Sequence, residues 1–382
     1  MFFFVVIAIW TVLHVYVFWR IATIPVVAAH ISRKLLFSTG GLLWASFIVS
    51  RIIDRPGLRW LSQALEIVGT DWVGVLFLLF VCELAVDTIT CFGFCLRPIV
   101  PALRGWAVVA AGVLALIAFV QGMRPPQVEN YEIEVARLPA ARDGMVLVVA
   151  SDMHLGSHIG GKWLAARIAQ INALHPDIIV LAGDIIEGHG EQGQELLPVM
   201  RTLSAPLGVW AVNGNHESYG RTENSGHLLE DAGIHVLRDQ WLEIEPGVVM
   251  AGVDDLGTRR RQPAPGEEFV DRALAGHPAG SAVIFVSHTP VLPERAAHDG
   301  ASLMISGHTH NGQIWPFNYV VRLVTPFVGG KYVVQGMPLI VCRGTGTWGP
   351  RMRLWSPGEI LKITLRSPGH TKTPSIPQAK ER

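Results

Sequence analysis

The sequence predicts a layered α/β domain preceded by a four-helix transmembrane region. Three observations predict this arrangement: apolar residues concentrate in the first 124 positions, short buried-strand runs alternate with helical patterns after residue 130, and Asp, Asn and His residues follow the strand runs. At 382 residues the chain is also too long for one ordinary domain. Only 16% of its residues are charged, compared with roughly 25% in soluble domains. We attribute the apolar excess to a membrane part, since the rest of the chain has the composition of a soluble domain.

Four apolar segments lie in the first third of the chain, and each is close to the ~20 residues that a helix needs to cross a bilayer. They are residues 2–19, 35–53, 72–92 and 105–123. A cleaved signal peptide is the alternative interpretation of the first segment. However, no basic region precedes that segment and three further segments follow it. We therefore expect an integral, multi-pass membrane protein in which residues 1–124 form the transmembrane region.

The basic residues that flank these segments indicate an orientation, because cytoplasmic loops are enriched in Lys and Arg. The first and third connections carry Arg20, Arg33, Lys34, Arg97 and Arg104, and the opposite side carries Arg51, Arg55, Arg59 and Arg124. The small excess places the C-terminal domain on the non-cytoplasmic face. The net charge of the chain is zero, so we expect the lipid bilayer as a partner and no nucleic acid. The sequence does not indicate an oligomeric state.

Two carboxylates interrupt the third apolar segment. Glu83 and Asp87 are four residues apart and therefore lie on one face of a helix. Carboxylates inside a membrane are energetically costly and often functional, which would suit a transporter or sensor. The interpretation that we prefer is that both face the interior of the helix bundle, neutral or paired with a neighbouring arginine.

The second part of the chain begins after a proline-containing break at residues 123–130. We expect a linker and the first strand in residues 125–144, the main domain in 145–366 and a polar, disordered tail in 367–382. The strand runs are residues 145–154, 177–186, 208–217, 247–255, 281–290 and 302–310. Helical patterns, such as residues 161–174 and 194–203, lie between several of them. This alternation predicts helices that cover sheets.

Polar residues stand at the ends of five of these strand runs: Asp152, His154, Asp184, Asn215, His216, His288, His308 and His310. In open α/β folds, ligands bind at the carboxyl ends of strands, where such side chains converge. Oxygen and imidazole donors suit borderline divalent metals, namely Mn, Fe, Zn or Ni. Seven donors, with His216 as an additional neighbour, are too many for one ion that keeps positions open for water. They are about right for two ions that share a bridging carboxylate.

The ordered series D-x-H, G-D, G-N-H-E, S-H and G-H-T-H resembles the signature of the calcineurin-like metallophosphoesterase family. The similarity covers residues 145 to 365, and the ending RGTGTWGPRMRLWSPGEILKITL resembles the membrane-associated bacterial branch of the family. The resemblance implies an αββα sandwich, two sheets stacked face to face between helices. One departure is Asn311, which stands where this branch often has glycine.

The resemblance also implies roles for individual residues. One metal would be held by Asp152, His154, Asp184 and His310, and the second by Asp184, Asn215, His288 and His308, with Asp184 bridging. His216 resembles the proton donor of the family, although Glu217 or a metal-bound water could share that task. Each residue alone has an ordinary structural explanation, such as a helix cap for an Asp or a turn for Asn215. Their joint occurrence favours the metal site.

These features predict a membrane-anchored, metal-dependent phosphoesterase that hydrolyses phosphoester or pyrophosphate bonds with a bridging hydroxide as the nucleophile. The anchor and the family branch favour a lipid-linked substrate. The alternative is a phosphoesterase-fold scaffold or regulatory domain without activity, attached to a membrane bundle. Asp254 and Asp255 either orient a ligand or form a turn, and Arg343 is a candidate contact near the site.

Overall fold

The computed structural model describes residues 2–53, 57–156, 159–187, 190–218, 227–259 and 266–369. The chain divides into two compact units. The helical unit comprises Met1–Arg124, Gln313–Pro316 and Thr347–Pro357, and the sheet unit comprises Pro125–Gly312, Phe317–Gly346 and Gly358–Arg382. Two segments that lie late in the sequence thus belong to the N-terminal unit. Most of the expected disordered tail, residues 370–382, lies outside the described residues.

In the described part of the helical unit there are five α-helices: α1 (Phe2–Ile21), α2 (Pro25–His30), α3 (Arg33–Ile52), α4 (Arg59–Ile89) and α5 (Val100–Gly122). Among the described residues, three stretches are long and apolar enough to cross a membrane, Phe4–Ile21, Trp60–Ile89 and Val100–Gly122. The expectation of four spans is therefore wrong in number for the part of the chain that is described. The α3 helix begins with Arg33 and Lys34 and contains Ser, Thr and Gly residues, which lower its hydropathy.

Apolar packing holds the two late segments in the helical unit. Ile314, Met352 and Leu354 are buried in one cluster with residues of α1, α4 and α5. Polar contacts add to this packing: the guanidinium of Arg351 lies 2.6 Å from the carboxylate of Asp71 on α4. The backbone N–H of Arg353 donates to the carbonyl of Ala118 on α5 at 2.8 Å.

The sheet unit contains two six-stranded sheets, with strand orders β1-β12-β2-β3-β4-β5 and β10-β11-β9-β8-β7-β6. The strands are β1 (Gln127–Glu134), β2 (Val146–Ala150), β3 (Ile178–Leu181), β4 (Val209–Ala211), β5 (His235–Val236), β6 (Gln240–Glu245), β7 (Val248–Val253), β8 (Ala282–Ser287), β9 (Leu303–Ser306), β10 (Gly330–Val334), β11 (Met337–Val341) and β12 (Glu359–Arg366). Strands β2, β3 and β4 are parallel, as are β7, β8 and β9. Their carboxyl ends therefore lie at common edges.

Eight α-helices lie in the described segments of the sheet unit: α6 (Gly161–Asn172), α7 (Gly190–Met200), α8 (Asn215–Ser218), α9 (Leu228–Asp231), α10 (Leu256–Arg259), α11 (Gly266–Leu274), α12 (Pro293–His298) and α13 (Phe317–Val324). Side chains of β2 alternate between two cores, as a strand between layers requires. Leu147 lies in the core that residues of both sheets share, while Val148 packs with Ile168 of α6. On the second sheet, Phe285 packs with Phe269 of α11. The expected αββα arrangement is confirmed.

Candidate metal centre

The structure brings all eight residues of the expected site together at the strand ends. They lie in the segments that follow β2, β3, β4, β8 and β9. Asp152 and His288 are fully buried, and His154, Asp184 and His310 are nearly so. His308 is exposed, while Asn215 and His216 are half-buried. The site therefore has a buried floor and an open side that a substrate can reach.

Backbone conformation distinguishes these segments from ordinary loops. Five of the expected ligands have positive φ angles: Asp152 (52°), His154 (49°), Asp184 (52°), His308 (71°) and His310 (49°). Left-handed conformations are uncommon for residues other than glycine and cluster at functional sites, where surrounding structure holds the strain. Close packing of the backbone around Asp152 helps to hold this conformation. A Cβ atom on Gly307 would stand 2.5 Å from Oδ2 of Asp152, so only glycine fits beside that carboxylate.

One group of donors consists of Asp152, His154 and His310. Nε2 of His154 lies 3.1 Å from Nε2 of His310, which in turn lies 3.3 Å from Oδ1 of Asp152. Backbone and hydroxyl groups orient the carboxylate, because the N–H of His308 donates to both of its oxygens at 3.1 Å and Ser151 donates to Oδ2. These are three of the four ligands expected for the first metal.

A second group consists of Asp184, His288 and His308. Nε2 of His288 lies 3.1 Å from Oδ2 of Asp184 and 3.2 Å from Nδ1 of His308. Asp184 also forms a third group with His154 and His216. Asp184 therefore belongs to two of the three groups.

The side chain of Asn215 bears on whether the site suits a cation. Its side-chain oxygen Oδ1 is buried and has no hydrogen-bond partner among the described residues. Buried polar atoms are almost always satisfied, so an orphaned amide oxygen needs an explanation. A divalent ion bound by the surrounding oxygen and nitrogen donors would satisfy it, and the residues present fit such an ion.

Charges within the site keep its carboxylates ionised. Burial alone would raise the pKa of Asp184, but His288 and His154 outweigh it and lower the pKa to about 2. Burial would also raise the pKa of Asp152, but His310, His288 and His154 outweigh it and hold that pKa well below its usual range. The pKa of His308 is lowered, first by the protein atoms that shield the ring from water, although the residue is partly accessible, and then by the neighbouring His288. Ionised carboxylates are the form that binds metals, whereas the same carboxylates, Asp184 before Asp152, outweigh burial and raise the pKa of His288, which must lose a proton to bind one.

Two glutamates complete the site, and sequence reasoning missed the first of them. Oε1 of Glu187 lies 2.8 Å from Nδ1 of His154, and Oε2 lies 3.3 Å from Nδ1 of His216. Glu187 therefore orients two rings at once, in the manner of the carboxylates that support metal-bound histidines. It follows Asp184 by three residues, but neither spacing nor residue type distinguishes it from a surface glutamate.

Glu217 has a different position from the one expected of a proton donor. Its carboxylate accepts backbone N–H groups from Asp184 at 2.9 Å, Ile185 at 2.6 Å, Ile186 at 2.9 Å and Gly214 at 2.7 Å. Both oxygens are thus used to hold the segment that carries Asp184 against the one that carries Asn215.

The remaining candidates have structural contacts. Oδ1 of Asp254 accepts from the amide of Asn213 at 2.9 Å, and Asp255 accepts from the N–H of Thr258 at the start of α10. The guanidinium of Arg343 lies 3.4 Å from the buried carboxylate of Glu359. These contacts favour the turn interpretation for the two aspartates.

The sequence of this chain is similar to those of known proteins. Residues 145–312 match the sequence profile of the family described as Calcineurin-like phosphoesterase. A "Transmembrane protein with metallophosphoesterase domain" from Danio rerio is 32% identical over 271 residues, 68% of this chain and 62% of that protein. An "Uncharacterized metallophosphoesterase" from Aquifex aeolicus is 34% identical over 252 residues, 64% of this chain and 93% of that protein.

The match therefore spans less than two thirds of the length of the Danio rerio protein, whereas it covers nearly all of the Aquifex aeolicus protein. Among solved structures, a dimetal phosphatase from Danio rerio is 15% identical and aligns with 58% of this chain and 99% of that chain, with a TM-score of 0.35. A likeness of that size carries no information on chemistry.

Proposed function

Because the chain belongs to the calcineurin-like phosphoesterase family, we propose that it is a membrane-anchored, metal-dependent phosphoester hydrolase. The observation that carries this proposal is the convergence of six of the expected metal donors and His216, from five separate segments, in three groups that share members. Asn215, whose buried Oδ1 has no hydrogen-bond partner among the described residues, precedes His216 directly. Three candidate membrane spans and relatives named as transmembrane proteins support association with a membrane.

The donors divide into two sets, each suited to one divalent ion. Asp152, His154, Asp184 and His310 would hold the first ion, and Asp184, Asn215, His288 and His308 the second. When bound, two such ions neutralise charge on the phosphoryl oxygens and make a nucleophilic water more acidic. Asn215 contributes a neutral oxygen, which keeps the site positive enough to attract an anionic ester.

Residues of the chain itself orient the reaction. The backbone N–H of His216 donates to Oδ1 of Asp184 at 2.9 Å, which fixes the start of α8 against the shared carboxylate. The ring of His216 is held by Glu187 and is half-buried at the open side of the site. In this position the imidazole donates a proton to the departing alkoxide.

We assign the substrate to lipid-linked phosphodiesters or pyrophosphates and the sheet unit to the non-cytoplasmic face. The spans support the first assignment, since a tethered enzyme meets lipid substrates at high local concentration. The distribution of basic residues supports the second if α3 spans the membrane as well, since the three candidate spans alone would place most of the basic residues on the side of the sheet unit. Protease digestion of sealed vesicles of known orientation tests the second, and protection of the sheet unit inside cytoplasm-facing-out vesicles is the expected result.

Hydrolysis by the purified full-length chain in detergent tests the proposed activity. With Mn²⁺ present, we expect turnover of phosphate esters, loss of turnover on chelation and recovery when Mn²⁺, Fe²⁺, Zn²⁺ or Ni²⁺ is added back. The substrates are a panel of lipid-linked and soluble esters. Equal or faster turnover of soluble nucleotides would remove the lipid preference. Absence of hydrolysis for every ester would favour the non-catalytic scaffold.

Asp184→Asn gives the sharpest variant for this test. We expect it to abolish hydrolysis and to reduce bound metal, because an amide cannot supply two anionic oxygens to a shared position. Asp271→Asn, on the surface helix α11, is the matched control and should retain both. Full activity of Asp184→Asn would contradict the proposed site.

A further inference from the structure

The α13 helix has an apolar face with no cover among the described residues. It spans eight residues, Phe317–Val324, and none of them is buried. Leu323 is 85% exposed, Val324 84%, Tyr319 57% and Val320 49%. These four residues are at positions i, i+1, i+4 and i+5 of the helix and therefore lie on one face. Contiguous apolar surface of this kind marks a site of interaction with a membrane or another protein.

The opposite face of α13 is fixed to the loop that carries the metal donors. Gly312 has φ of 71°, and a Cβ atom on it would collide with the backbone of Asn318. Beyond the end of the helix, the hydroxyl of Thr309 donates to the carbonyl of Val328. Thr309 stands between His308 and His310. The exposed apolar face is therefore held at a fixed position beside these two histidines.

Continuity with the helical unit identifies the bilayer as the occupant of this face. Pro316 belongs to the helical unit, which contains the candidate spans, and Phe317 begins α13 one peptide bond later. The late segments of the helical unit also expose three tryptophans, Trp315, Trp348 and Trp355. Tryptophan is enriched where membrane proteins cross the headgroup region.

The charge of α13 also suits a lipid surface. Arg322 is its only charged residue and is exposed next to Leu323. A short amphipathic helix with apolar residues on one face and a basic residue beside them is typical of segments that lie in the plane of the interface. The arginine can extend to the lipid phosphates while the apolar side chains remain among the upper acyl carbons.

We propose that the outward face of α13, formed by Tyr319, Val320, Leu323 and Val324, docks into the lipid bilayer interface beside the metal-donor loop. This contact fixes His308 and His310 at the level of the headgroups. An ester carried by a lipid then reaches the open side of the site without leaving the membrane, a consequence that rests on the proposed function.

A nitroxide label on the full-length protein in phosphatidylcholine–phosphatidylglycerol vesicles tests the docking. The label is attached at Leu323→Cys in a background in which Cys82, Cys91 and Cys95 are replaced by Ala. Leu242→Cys on β6, an edge strand of the second sheet, is the matched control because Leu242 is also exposed, at 44%. Val113→Cys on α5 reports the membrane interior. Collisions with oxygen and with a water-soluble nickel chelate measure depth.

We expect the label at Leu323 to lie roughly 5–10 Å into the headgroup and acyl boundary, the label at Leu242 in water and the label at Val113 deeper than both. Nickel accessibility at Leu323 equal to that at Leu242, with Val113 still deep, would overturn the docking and leave the anchor intact. Spin–spin broadening at Leu323 would identify a second copy on this face and also overturn it. A label at Val113 that is accessible from water would contradict both the membrane anchor and the docking of α13.

Hydrolysis gives a second, independent readout. The double variant Leu323→Glu, Val324→Glu should hydrolyse soluble bis(p-nitrophenyl) phosphate at the unchanged rate. Its hydrolysis of a p-nitrophenyl phosphodiester of diacylglycerol in vesicles should fall by about tenfold or more, since the local concentration of the ester is lost. Equal effects on both esters, or an effect on neither, would contradict the proposal. If the unmodified protein hydrolyses neither ester, the proposed function fails and the label measurement alone decides the docking.

Discussion

At the scale of single residues, the site contains two layers of side chains with different tasks. Asp184 and His216 face the volume that the metal donors surround, whereas Glu187 and Glu217 lie behind them. The outer carboxylates hold rings and backbone in place through hydrogen bonds. Substitutions of the inner residues and of the outer carboxylates should therefore have different effects on turnover and metal binding.

His216→Ala should retain the metals and slow turnover. General acid catalysis contributes ~10²–10⁴-fold, and we expect most of that loss with alkyl esters, whose leaving groups need a proton. Nitrophenyl esters should lose less. His298→Ala, an exposed histidine of α12, is the control. Metal analysis decides the assignment: loss of metal in His216→Ala would make His216 a ligand, as its proximity to His154 and Asp184 also allows.

Glu187→Gln should weaken metal binding or turnover by ~10–100-fold, the usual cost of losing a carboxylate that orients metal-bound imidazoles. The reason is that the variant retains the shape of the side chain but loses the charge beside His154 and His216. Metal titration and kcat should be measured in parallel. Glu195→Gln, on the exposed surface of α7, should change neither. A Glu187→Gln variant that behaves like the control would reduce Glu187 to a surface residue.

At the scale of elements, short parallel strands deliver the donors and the segments after them hold the strained conformations. Strands β8 and β9 are adjacent and parallel, so His288 and His308 leave the sheet at one edge. Interlocking backbone bonds maintain the turns: the N–H of Asp152 donates to the carbonyl of Gly183, and that of His154 to the carbonyl of Asp184. The site is therefore a property of several segments together.

Gly307→Ala should displace Asp152, because the added Cβ would stand 2.5 Å from its Oδ2 and 2.6 Å from Oγ of Ser151. We expect reduced metal content, little or no hydrolysis and a loss of about 1–3 kcal/mol in stability from overpacking. Gly160→Ala is the matched control, since nothing lies within 4 Å of a Cβ there. Calorimetry and metal analysis of both variants should differ. If Gly307→Ala were as stable and metal-loaded as Gly160→Ala, the close packing of this loop would be wrong.

At the scale of the whole molecule, the helical unit contains its own buried ion network. Asp87 on α4 lies 2.5 Å from the guanidinium of Arg20 on α1 and 3.0 Å from that of Arg104 on α5. The hydroxyl of Tyr16 donates to the same carboxylate at 2.7 Å. This agrees with the expectation that Asp87 pairs with arginine inside the bundle. Glu83, one turn earlier, is fully buried and has no hydrogen-bond partner among the described residues.

Asp87→Asn should destabilise the helical unit by about 3–5 kcal/mol, because two buried guanidinium groups lose their counter-charge. Glu83→Gln should cost far less, since no described contact depends on its charge. Thermal unfolding in detergent distinguishes the two. Hydrolysis of soluble esters at temperatures below unfolding should survive both changes if these carboxylates serve packing. Selective loss of activity with full stability would instead link them to the reaction.

Sequence reasoning recovered the features that local chemistry determines. The apolar runs of β2, β3, β4, β7, β8 and β9 were visible in the sequence, and the donor residues were identifiable because they stand at the ends of five of those runs in a fixed order. Strands β5, β6, β10, β11 and β12 were not identified. The β5 strand has only two residues, and the pairing of β12 with β1 and β2 joins residues more than 200 positions apart.

The sequence by itself thus determined the layered class and the family, and it predicted the set of donor residues, since apolar periodicity and short motifs can be recognised without the fold. Only the tertiary structure decided which groups support the donors. Glu187 and Glu217 look like ordinary glutamates until folding places one against two imidazoles and the other against four backbone amides. The tertiary structure likewise assigned Gln313–Pro316 and Thr347–Pro357 to the helical unit. Such contacts depend on packing between distant segments, which no short window of residues contains.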